Sequence, residues 1–291
     1  MSLYATLAGL EVGDGFPVRL MGAVNVSPES FYQGSIATRE TPLRTKAEQM
    51  VTEGADLLDV GAMSTAPYLR AEITEEEEIR RLTWAIGIVR KAVGVPISAD
   101  TKRSRTALAA LDAGADIIND VSGFRNDPDM ARIVVQRARG VIVMASESDP
   151  SARGPIETVR VLLEESLLWT RNAGVPDDQV VLDPGIGFFR HTAIPWYVWD
   201  CEVLRRLAEL RTLGRPLLVG VSRKSFIGKI VGQGQPDNRL AGSLAATAIA
   251  VLNGAHLIRT HDVGSTREAV RMGEALRPVE LEEGGSITGN P

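Results

Sequence analysis

The stretch Leu217–Gly228, LLVGVSRKSFIG, contains the strand that is most informative about the fold. Its first five residues, LLVGV, are apolar or glycine, which is typical of a strand buried on both faces. Ser222, Arg223 and Lys224 follow where this apolar run stops. Polar residues at the carboxyl end of a parallel strand indicate a ligand site in an α/β fold. The alternative is a surface loop on which the two cations cover apolar neighbours and keep their charges in water.

The same order of apolar strand, polar residue and amphipathic helix recurs along the chain. Eight strands are predicted at residues 18–24, 56–60, 96–99, 116–118, 141–144, 180–182, 217–221 and 256–258. Helices are predicted at residues 41–53, 74–91, 104–113, 128–137, 156–172, 195–211 and 239–253, with a closing helix that runs through residue 277. Glycines between a helix and the next strand fit left-handed helix ends, at Gly54, Gly114, Gly174 and Gly254.

Eight strand–helix units with such apolar strands predict a closed (β/α)₈ barrel, the TIM-barrel form of the α/β class, in a single domain. A doubly wound open sheet is the alternative, but the Gly-rich dinucleotide loop expected after its first strand is absent. We expect residues 1–17 to form a hairpin or cap at the bottom of the barrel, residues 18–277 to form the barrel, and residues 278–291 to be a disordered tail.

Composition limits the possible partners and compartment. The chain has 291 residues, 44% of them hydrophobic and 24% charged, which is ordinary for a soluble protein. Its net charge of −5 argues against nucleic acid or an anionic membrane as the main partner. A single cysteine, Cys201, excludes an internal disulfide and fits a reducing compartment. Neither a signal peptide nor an apolar run of roughly 18 residues is apparent, so we expect a cytoplasmic protein.

Polar side chains stand at nearly every predicted strand end. In a barrel these ends converge on one rim, where the chemistry of such folds is located. The rim residues are Asn25, Asp59, Asp100, Asn119, Met144, Asp183, Ser222 with Lys224, and Arg259 with His261.

Two kinds of chemistry can be separated within this set. Carboxylates, an amide and an ammonium suit the donor–acceptor edge of a flat heterocycle that carries an amino-pyrimidinone; they are Asp100, Asn119, Asp183 and Lys224. An amide, a guanidinium and an imidazole come from the first and last strands, which are neighbours in a closed barrel; they are Asn25, Arg259 and His261. This second group indicates an anion site for phosphate or pyrophosphate with magnesium.

Other interpretations of these residues stay open. Lys224 could form a Schiff base, as the lysine of barrel aldolases does. Asp100 and Asp183 could cap the helices that follow them, and His261 could be an ordinary surface histidine. A zinc site is disfavoured, because one cysteine and three histidines show no zinc-ligand spacing.

Seven segments of the chain together resemble the dihydropteroate synthases. They are MGAVNVSPESF (21–31), GADLLDVGAMST (54–65), ISADT (97–101), AGADIINDVSG (113–123), LDPGIGF (182–188), LLVGVSRKSFIG (217–228) and IRTHDV (258–263). The resemblance covers residues 18–277 with the motifs in the order of that family. It implies an eightfold barrel and a transferase of folate-type cofactor biosynthesis. Such an enzyme joins an arylamine, usually p-aminobenzoate, to 6-hydroxymethyl-7,8-dihydropterin pyrophosphate and releases pyrophosphate.

The resemblance also implies a role for each matching residue. The pterin would be held by Asp100, Asn119, Met144, Asp183 and Lys224. The pyrophosphate would be held by Asn25, Arg259 and His261, with Asn25 next to Mg²⁺. The arylamine would lie near Thr65, Phe188 and Ser222. Catalysis would depend on Asp100, Lys224, Arg259 and His261, and the enzyme would be a homodimer through its outer helices.

Three segments depart from the pattern of the family. A loop arginine is replaced by Ala66, Met144 is followed by Ala145 instead of histidine, and the usual Gly-Lys is Phe189-Arg190. These differences lie on the arylamine or loop side, so a larger arylamine, such as a ribosylated aminobenzene phosphate, is a second hypothesis for that substrate.

Two functions of other kinds are the alternatives. A pterin-dependent methyltransferase for a corrinoid protein would share the carboxylate and amide pattern but would have no use for a pyrophosphate site. A non-catalytic pterin-binding relative would bind the pterin pyrophosphate and release nothing.

Overall fold

The computed structural model describes residues 2–27, 39–63, 73–146, 154–190 and 192–277. Its strands are β1 (Tyr4–Leu7), β2 (Leu10–Gly13), β3 (Arg19–Asn25), β4 (Leu57–Gly61), β5 (Ile97–Asp100), β6 (Ile117–Asp120), β7 (Val141–Met144), β8 (Val180–Asp183), β9 (Leu218–Gly220) and β10 (Leu257–Thr260). Its helices are α1 (Glu40–Thr52), α2 (Glu75–Ala92), α3 (Ser104–Asp112), α4 (Met130–Arg137), α5 (Pro155–Ala173), α6 (Trp196–Arg205), α7 (Ser225–Val231), α8 (Leu240–Leu252) and α9 (Val263–Ala275).

Strands β3 to β10 form one parallel sheet in the order β8-β7-β6-β5-β4-β3-β10-β9. The two edges of this sheet meet, because Leu182 pairs with Leu217 in a parallel bridge and its N–H donates to the Pro216 carbonyl at 3.0 Å. The predicted (β/α)₈ barrel is therefore confirmed. Every residue of β4 to β9 is buried, as expected for strands enclosed by helices on the outside and by packed side chains on the inside.

The lower half of the barrel interior is apolar. Side chains that point inward from the strands pack against β1 and β2, which pair as an antiparallel hairpin below the barrel. This cluster comprises Met21, Leu57, Ile117, Ile142, Val181, Leu218 and Leu257 from the barrel and Ala5, Leu7 and Val12 from the hairpin. The hairpin therefore closes the bottom of the barrel and leaves the opposite end for a ligand.

A charged cluster joins the end of this hairpin to the barrel. The Asp14 carboxylate accepts a hydrogen bond from the Leu3 N–H at 2.9 Å, from the Arg211 guanidinium at 2.9 Å and from His256 Nε2 at 3.1 Å. Although partial burial opposes the effect, the hydrogen bonds from Arg211 and Leu3 hold the pKa of Asp14 well below its usual range. The cluster thus fixes the cap to the bottom of the barrel.

Helix boundaries agree with the sequence pattern except near two segments. The helix predicted at residues 195–211 ends at Arg205 and continues as a 3₁₀ turn over Leu207–Leu213. Helix α7 was not predicted, because its seven residues are too few to show a helical period. The four predicted helix-end glycines all have positive φ angles, between +87° and +112°. Within the described residues, no helix is both long and apolar enough to cross a bilayer.

Candidate active site

The alternation of side chains along the strands places polar groups directly above the apolar interior. In a strand, residues two positions apart point to the same side of the sheet. The inward-facing apolar residues are therefore followed two positions later by Asp59, Asn119, Met144, Asp183 and Arg259. Inward positions occupied by glycine, Gly61 and Gly220, leave room among these side chains. The upper half of the barrel is thus a chamber lined by charged and amide groups.

Arg259 is the centre of this chamber. Its Nε donates to Asp59 Oδ2 at 2.7 Å, and its Nη2 donates to Asp100 Oδ2 at 3.3 Å. Asn119 Nδ2 donates to the same Asp59 oxygen at 3.3 Å. Asp59 is fully buried and Asp100 nearly so, and one guanidinium connects these two carboxylates. Although burial alone would lower the pKa of Arg259, the charges of Asp59 and Asp100 raise it, and the guanidinium stays protonated.

Asp100 is ionised with difficulty in this environment. Burial raises its pKa to about 8, the Asp59 carboxylate adds to the rise, and Arg259 opposes it. Three buried oxygens of this chamber have no hydrogen-bond partner among the described residues: Oδ1 of Asp59, Oδ1 of Asp100 and Oδ1 of Asn119. Buried acceptors without a partner are rare in folded proteins. A ligand that brings N–H donors into the chamber would satisfy them.

Lys224 lies on the opposite side of the chamber with Asp183. The Lys224 ammonium donates to the Ile186 carbonyl and lies 5.1 Å from the centre of the Phe188 ring. Burial lowers its pKa to about 8, against the attraction of the Asp183 and Asp200 carboxylates. Burial likewise raises the pKa of Asp183, and Lys224 opposes that rise. The two groups therefore support each other's charged forms.

The hypothesis that Asp100 and Asp183 are helix caps does not agree with their contacts. Helix α3 begins four residues after Asp100, and the N–H of Ser104 donates to Asp127 Oδ2 at 2.8 Å. Asp183 accepts a hydrogen bond from the Gly185 N–H at 2.8 Å, inside the loop that follows β8. Both carboxylates belong to the chamber.

His261 and Ser222 form a pair at the mouth. The distance between His261 Nδ1 and Ser222 Oγ is 3.0 Å, and the backbone N–H of His261 donates to the same oxygen at 3.2 Å. Burial lowers the pKa of His261 well below its usual value, and the charge of Arg259 adds to this effect. His261 is therefore neutral at physiological pH, and it can act toward an anion as an N–H donor.

Asn25 and Asp100 face one small space above Gly61. A Cβ atom at Gly61 would lie 3.5 Å from Asn25 Oδ1 and 3.6 Å from Asp100 Oδ2. Magnesium prefers oxygen ligands and is often held by one or two protein oxygens together with substrate phosphates. These two oxygens fit such an ion. No group of three or more His, Cys, Asp or Glu side chains with the geometry of a metal site occurs among the described residues.

Arg223 does not belong to the chamber, although it lies between two residues that do. Its guanidinium makes two hydrogen bonds of 2.8 Å to Asp262, and it donates to the Asp237 carbonyl at 2.8 Å. The φ angle of Arg223 is +55°, which turns consecutive side chains in different directions. Arg223, which was not among the predicted rim residues, therefore fastens the loop after β9 instead of facing the chamber.

The departures at Phe189 and Arg190 also have structural explanations. The Phe189 ring is buried and stacks on Trp199 at 5.0 Å between ring centres. The Arg190 guanidinium lies 4.1 Å from the Trp196 ring centre, donates to the Gly187 carbonyl at 3.1 Å and donates to Ser225 Oγ at 2.7 Å. Phe189 is thus part of the core, whereas Arg190 connects the loop after β8 to the start of α7.

Thr65 and Ala66 lie outside the described residues. Two further buried carboxylates were given no chemical role in the sequence analysis: Asp59 in the chamber and Asp200 on α6. Asp59 appeared among the rim residues, and its register two positions after Leu57 would have identified it as an inward-facing residue. Asp200, on α6, gave no signal apart from being an acid within an otherwise apolar helix segment.

A sequence profile described as "Pterin binding enzyme" matches residues 21–261. The dihydropteroate synthase of Synechocystis sp. is 35% identical over 264 residues, which are 88% of this chain and 89% of that protein. That of Bacillus subtilis is 32% identical, over 91% of this chain and 90% of that protein.

Solved structures of other dihydropteroate synthases superpose on this chain. Dihydropteroate synthase from Xanthomonas albilineans, solved with 4-aminobenzoic acid, has a TM-score of 0.84 and 34% identity, over 96% of this chain and all of that one. The enzyme from Coxiella burnetii, solved in complex with pteroic acid, has a TM-score of 0.83 and 34% identity, over 94% of this chain and 98% of that one.

Proposed function

The chain belongs to the dihydropteroate synthases within the pterin-binding enzymes, and we infer that it condenses 6-hydroxymethyl-7,8-dihydropterin pyrophosphate with an arylamine and releases pyrophosphate. The observation that carries this function is the match over residues 21–261. Apart from the first two residues of β3, that range contains all eight strands of the barrel, whose chamber gathers acceptors and cations around one space. The Xanthomonas relative was solved with 4-aminobenzoic acid, which makes p-aminobenzoate the first choice for the arylamine.

The pterin would occupy the upper half of the barrel. Its amino-pyrimidinone edge carries N–H donors that match the unpartnered oxygens of Asp100 and Asn119. Asp183 offers a further acceptor, and the Lys224 ammonium would donate to a ring acceptor. Met144 is buried at the end of β7 and would pack against the flat ring.

The pyrophosphate would lie toward the first and last strands. Arg259 supplies a fixed positive charge, and His261 supplies an N–H without adding charge of its own. Asn25, with Asp100 close by, would hold a magnesium ion, which would neutralise negative charge on the pyrophosphate oxygens when bound. Together these groups stabilise the anion that departs.

The reaction follows from where charge develops. Departure of pyrophosphate leaves a resonance-stabilised cation at the exocyclic methylene of the pterin, which the Asp100 carboxylate stabilises. The neutral amine then attacks from the mouth, so the protein needs to position it rather than activate it. Lys224 serves as a hydrogen-bond donor, which is an alternative to the Schiff-base role.

The arylamine would enter beside Phe188 and Ser222, with Thr65 as a further contact. Because Phe189 is explained by its packing on Trp199, this departure from the family needs no larger substrate. A ribosylated aminobenzene phosphate stays the second candidate, and Arg190 is a cation in the loop that contains Phe188.

A homodimer through the outer helices would cover an apolar groove of about 420 Å³ between α6, α7 and α8. The exposed fractions of Ile230, Val231 and Ile249 on this face are 54%, 50% and 49%. Burying such side chains between two copies removes apolar surface from water. Sedimentation of the wild type and of Ile249→Asp would test the dimer. If the dimer forms through this face, the wild type has the mass of two chains and the variant has the mass of one.

A pyrophosphate-release assay with a panel of arylamines tests the function. The protein is incubated with the pterin pyrophosphate and with p-aminobenzoate, a ribosylated aminobenzene phosphate or no amine. Amine-dependent release with p-aminobenzoate supports the proposed reaction. Release with the ribosylated amine but not with p-aminobenzoate would identify the ribosylated amine as the second substrate. Calorimetric binding of a pterin without any binding of pyrophosphate would favour the corrinoid methyltransferase, and tight binding without release would favour a non-catalytic protein.

A further inference from the structure

One peptide group lies between the half-buried ammonium of Lys224 and the buried carboxylate of Asp200. The carbonyl of Ile186 accepts a hydrogen bond from Lys224 Nζ, and the N–H of Gly187 donates to Asp200 Oδ1 at 2.8 Å. This carbonyl and this N–H belong to the same trans peptide, so they point in opposite directions. Lys224 and Asp200 are therefore connected through the peptide dipole, and the two hydrogen bonds strengthen each other.

Burying the Asp200 carboxylate at its position costs free energy. It lies on the inner face of α6 with no exposed surface, next to Trp199. Within the described residues its Oδ2 has no hydrogen-bond partner. Burial raises the pKa of Asp200 to about 6, although the Gly187 N–H and the charge of Lys224 oppose the rise. The carboxylate is thus ionised at neutral pH at a cost that core packing alone does not explain.

Gly187 explains why this peptide needs to be held. Its φ is +86°, and a Cβ atom at this position would lie 3.0 Å from Lys224 Cδ. The glycine therefore allows the lysine stem to pass close to the loop. The same conformational freedom would let the peptide rotate and turn the Ile186 carbonyl away. The hydrogen bond to Asp200 opposes this rotation.

We propose that Asp200 is a positioning residue: it fixes the Ile186–Gly187 peptide so that its carbonyl holds the Lys224 ammonium, charged, at the pterin pocket. This role rests on the proposed function, in which Lys224 binds the pterin. The charged groups that face Lys224 are Asp183, Asp200, Arg259 and Arg190. The two carboxylates favour the ammonium, and removing one of them allows Lys224 to lose its proton at lower pH.

Two substitutions separate the hydrogen bond from the charge. Asp200→Asn keeps an acceptor for the Gly187 N–H but removes the charge, whereas Asp200→Ala removes both. The exposed carboxylate of Asp178 gives a matched control, Asp178→Asn. We would measure kcat/KM for the pterin pyrophosphate from pH 6.5 to 9.5, together with thermal unfolding of each variant.

The expected result has a distinct form for each variant. In Asp200→Asn, kcat/KM falls about threefold at pH 6.5, and its alkaline limb moves about one pH unit lower. In Asp200→Ala, kcat/KM falls about tenfold or more at all pH values, mainly through KM. The control follows the wild type. A purely structural role would lower the thermal unfolding temperature without moving the alkaline limb, so superimposable wild-type and Asp200→Asn profiles would overturn the proposal.

A readout without substrate separates this proposal from the proposed function. The amide proton resonance of Gly187, followed by NMR, should titrate together with Lys224 in the wild type, and the midpoint of this titration should move to lower pH in Asp200→Asn. A wild type that releases no pyrophosphate but shows this titration refutes the function and keeps the connection between Lys224 and Asp200. A Gly187 resonance that is insensitive to pH in the wild type refutes the connection.

Discussion

Replacing Asp100 with asparagine should reduce activity and, above neutral pH, increase stability. The carboxylate lies in a buried chamber with Asp59, and its pKa is raised from 3.8 to about 8. The folded protein therefore binds this proton more tightly than the unfolded chain does. By linkage, stability falls as pH rises from about 4 to about 8. Asparagine resembles the neutral form at all pH values, so the variant should not show this fall.

The magnitude can be worked out from the shift. A rise of about four pKa units corresponds to about 5–6 kcal/mol at ~1.4 kcal/mol per unit, and this value already includes the attraction of Arg259. The new amide brings a buried donor beside Arg259, which costs about 1–3 kcal/mol. Above pH 8 we expect Asp100→Asn to be more stable than the wild type by the difference, about 2–5 kcal/mol. At pH 5, about one unit above 3.8, the two effects should nearly cancel.

Activity should change in the opposite direction. The amide oxygen can still accept the pterin N–H, but it carries no negative charge to stabilise the cation that forms, and a hydrogen bond to a charged group is worth about 1.5–3 kcal/mol. This corresponds to a fall of roughly 10–150-fold in kcat/KM. The measurements are denaturant unfolding at pH 5 and pH 8.5 and the pyrophosphate-release assay.

A control with the opposite sign is available at Asp127. Although burial opposes the effect, the hydrogen bond from Ser104 lowers the pKa of Asp127, so its contribution to stability is present above the unfolded pKa. Asp127→Asn should therefore destabilise the protein at both pH values. The reasoning about Asp100 would be refuted if Asp100→Asn were less stable than the wild type at pH 8.5, or if it kept more than a third of the activity.

Three further substitutions test the rest of the structure. Lys224→Met should lower kcat/KM by roughly 10–150-fold, the value of one charged hydrogen bond. Lys229→Met, at an exposed position on the helix α7 that follows Lys224, should not change it in the release assay. Arg259→Lys keeps the charge but loses the planar fork that joins two carboxylates, so the inhibition constant of product pyrophosphate should rise about tenfold or more. Asp14→Ala should lower the unfolding free energy by about 1–3 kcal/mol at pH 7. This difference should shrink as pH falls below about 4, because Arg211 holds the pKa of Asp14 below its usual range and the contribution is lost on protonation. An equal loss at pH 7 and pH 3 would contradict the role given to Asp14.

The strands and the chamber could be predicted from the sequence because both depend on a two-residue period. Each apolar strand residue that fills the lower barrel fixes the direction of the residue two positions later, as Leu57 does for Asp59. The periodic pattern does not determine the direction of side chains in the loops that follow the strands. Arg223 and Lys224 are adjacent cations, and a single positive φ at Arg223 sends one to Asp262 and the other to the chamber.

Asp200 could not be identified from the sequence for a different reason. Its importance depends on a contact between a helix and a loop 13 residues earlier in the chain. A helical pattern indicates that the residue faces inward, but it does not indicate which peptide the carboxylate meets. The departure at Phe189 was interpreted through its neighbours in the motif, whereas its partner is Trp199, ten positions later. Positions whose partners are set by tertiary packing therefore need coordinates.

The charge balance of the chamber connects its stability with its function. Among the described residues, the carboxylates of Asp59, Asp100 and Asp183 face the cations of Arg259 and Lys224, so the negative groups are in excess. The raised pKa of Asp100 means that a proton compensates this excess when the chamber holds no ligand. A pterin brings N–H donors to the same oxygens and can replace that proton, which makes the excess of carboxylates useful once substrate is bound. The groups that cost stability in the free protein are therefore the ones that give the ligand its binding energy, and for this reason a neutral residue at position 100 should stabilise the fold and weaken catalysis together.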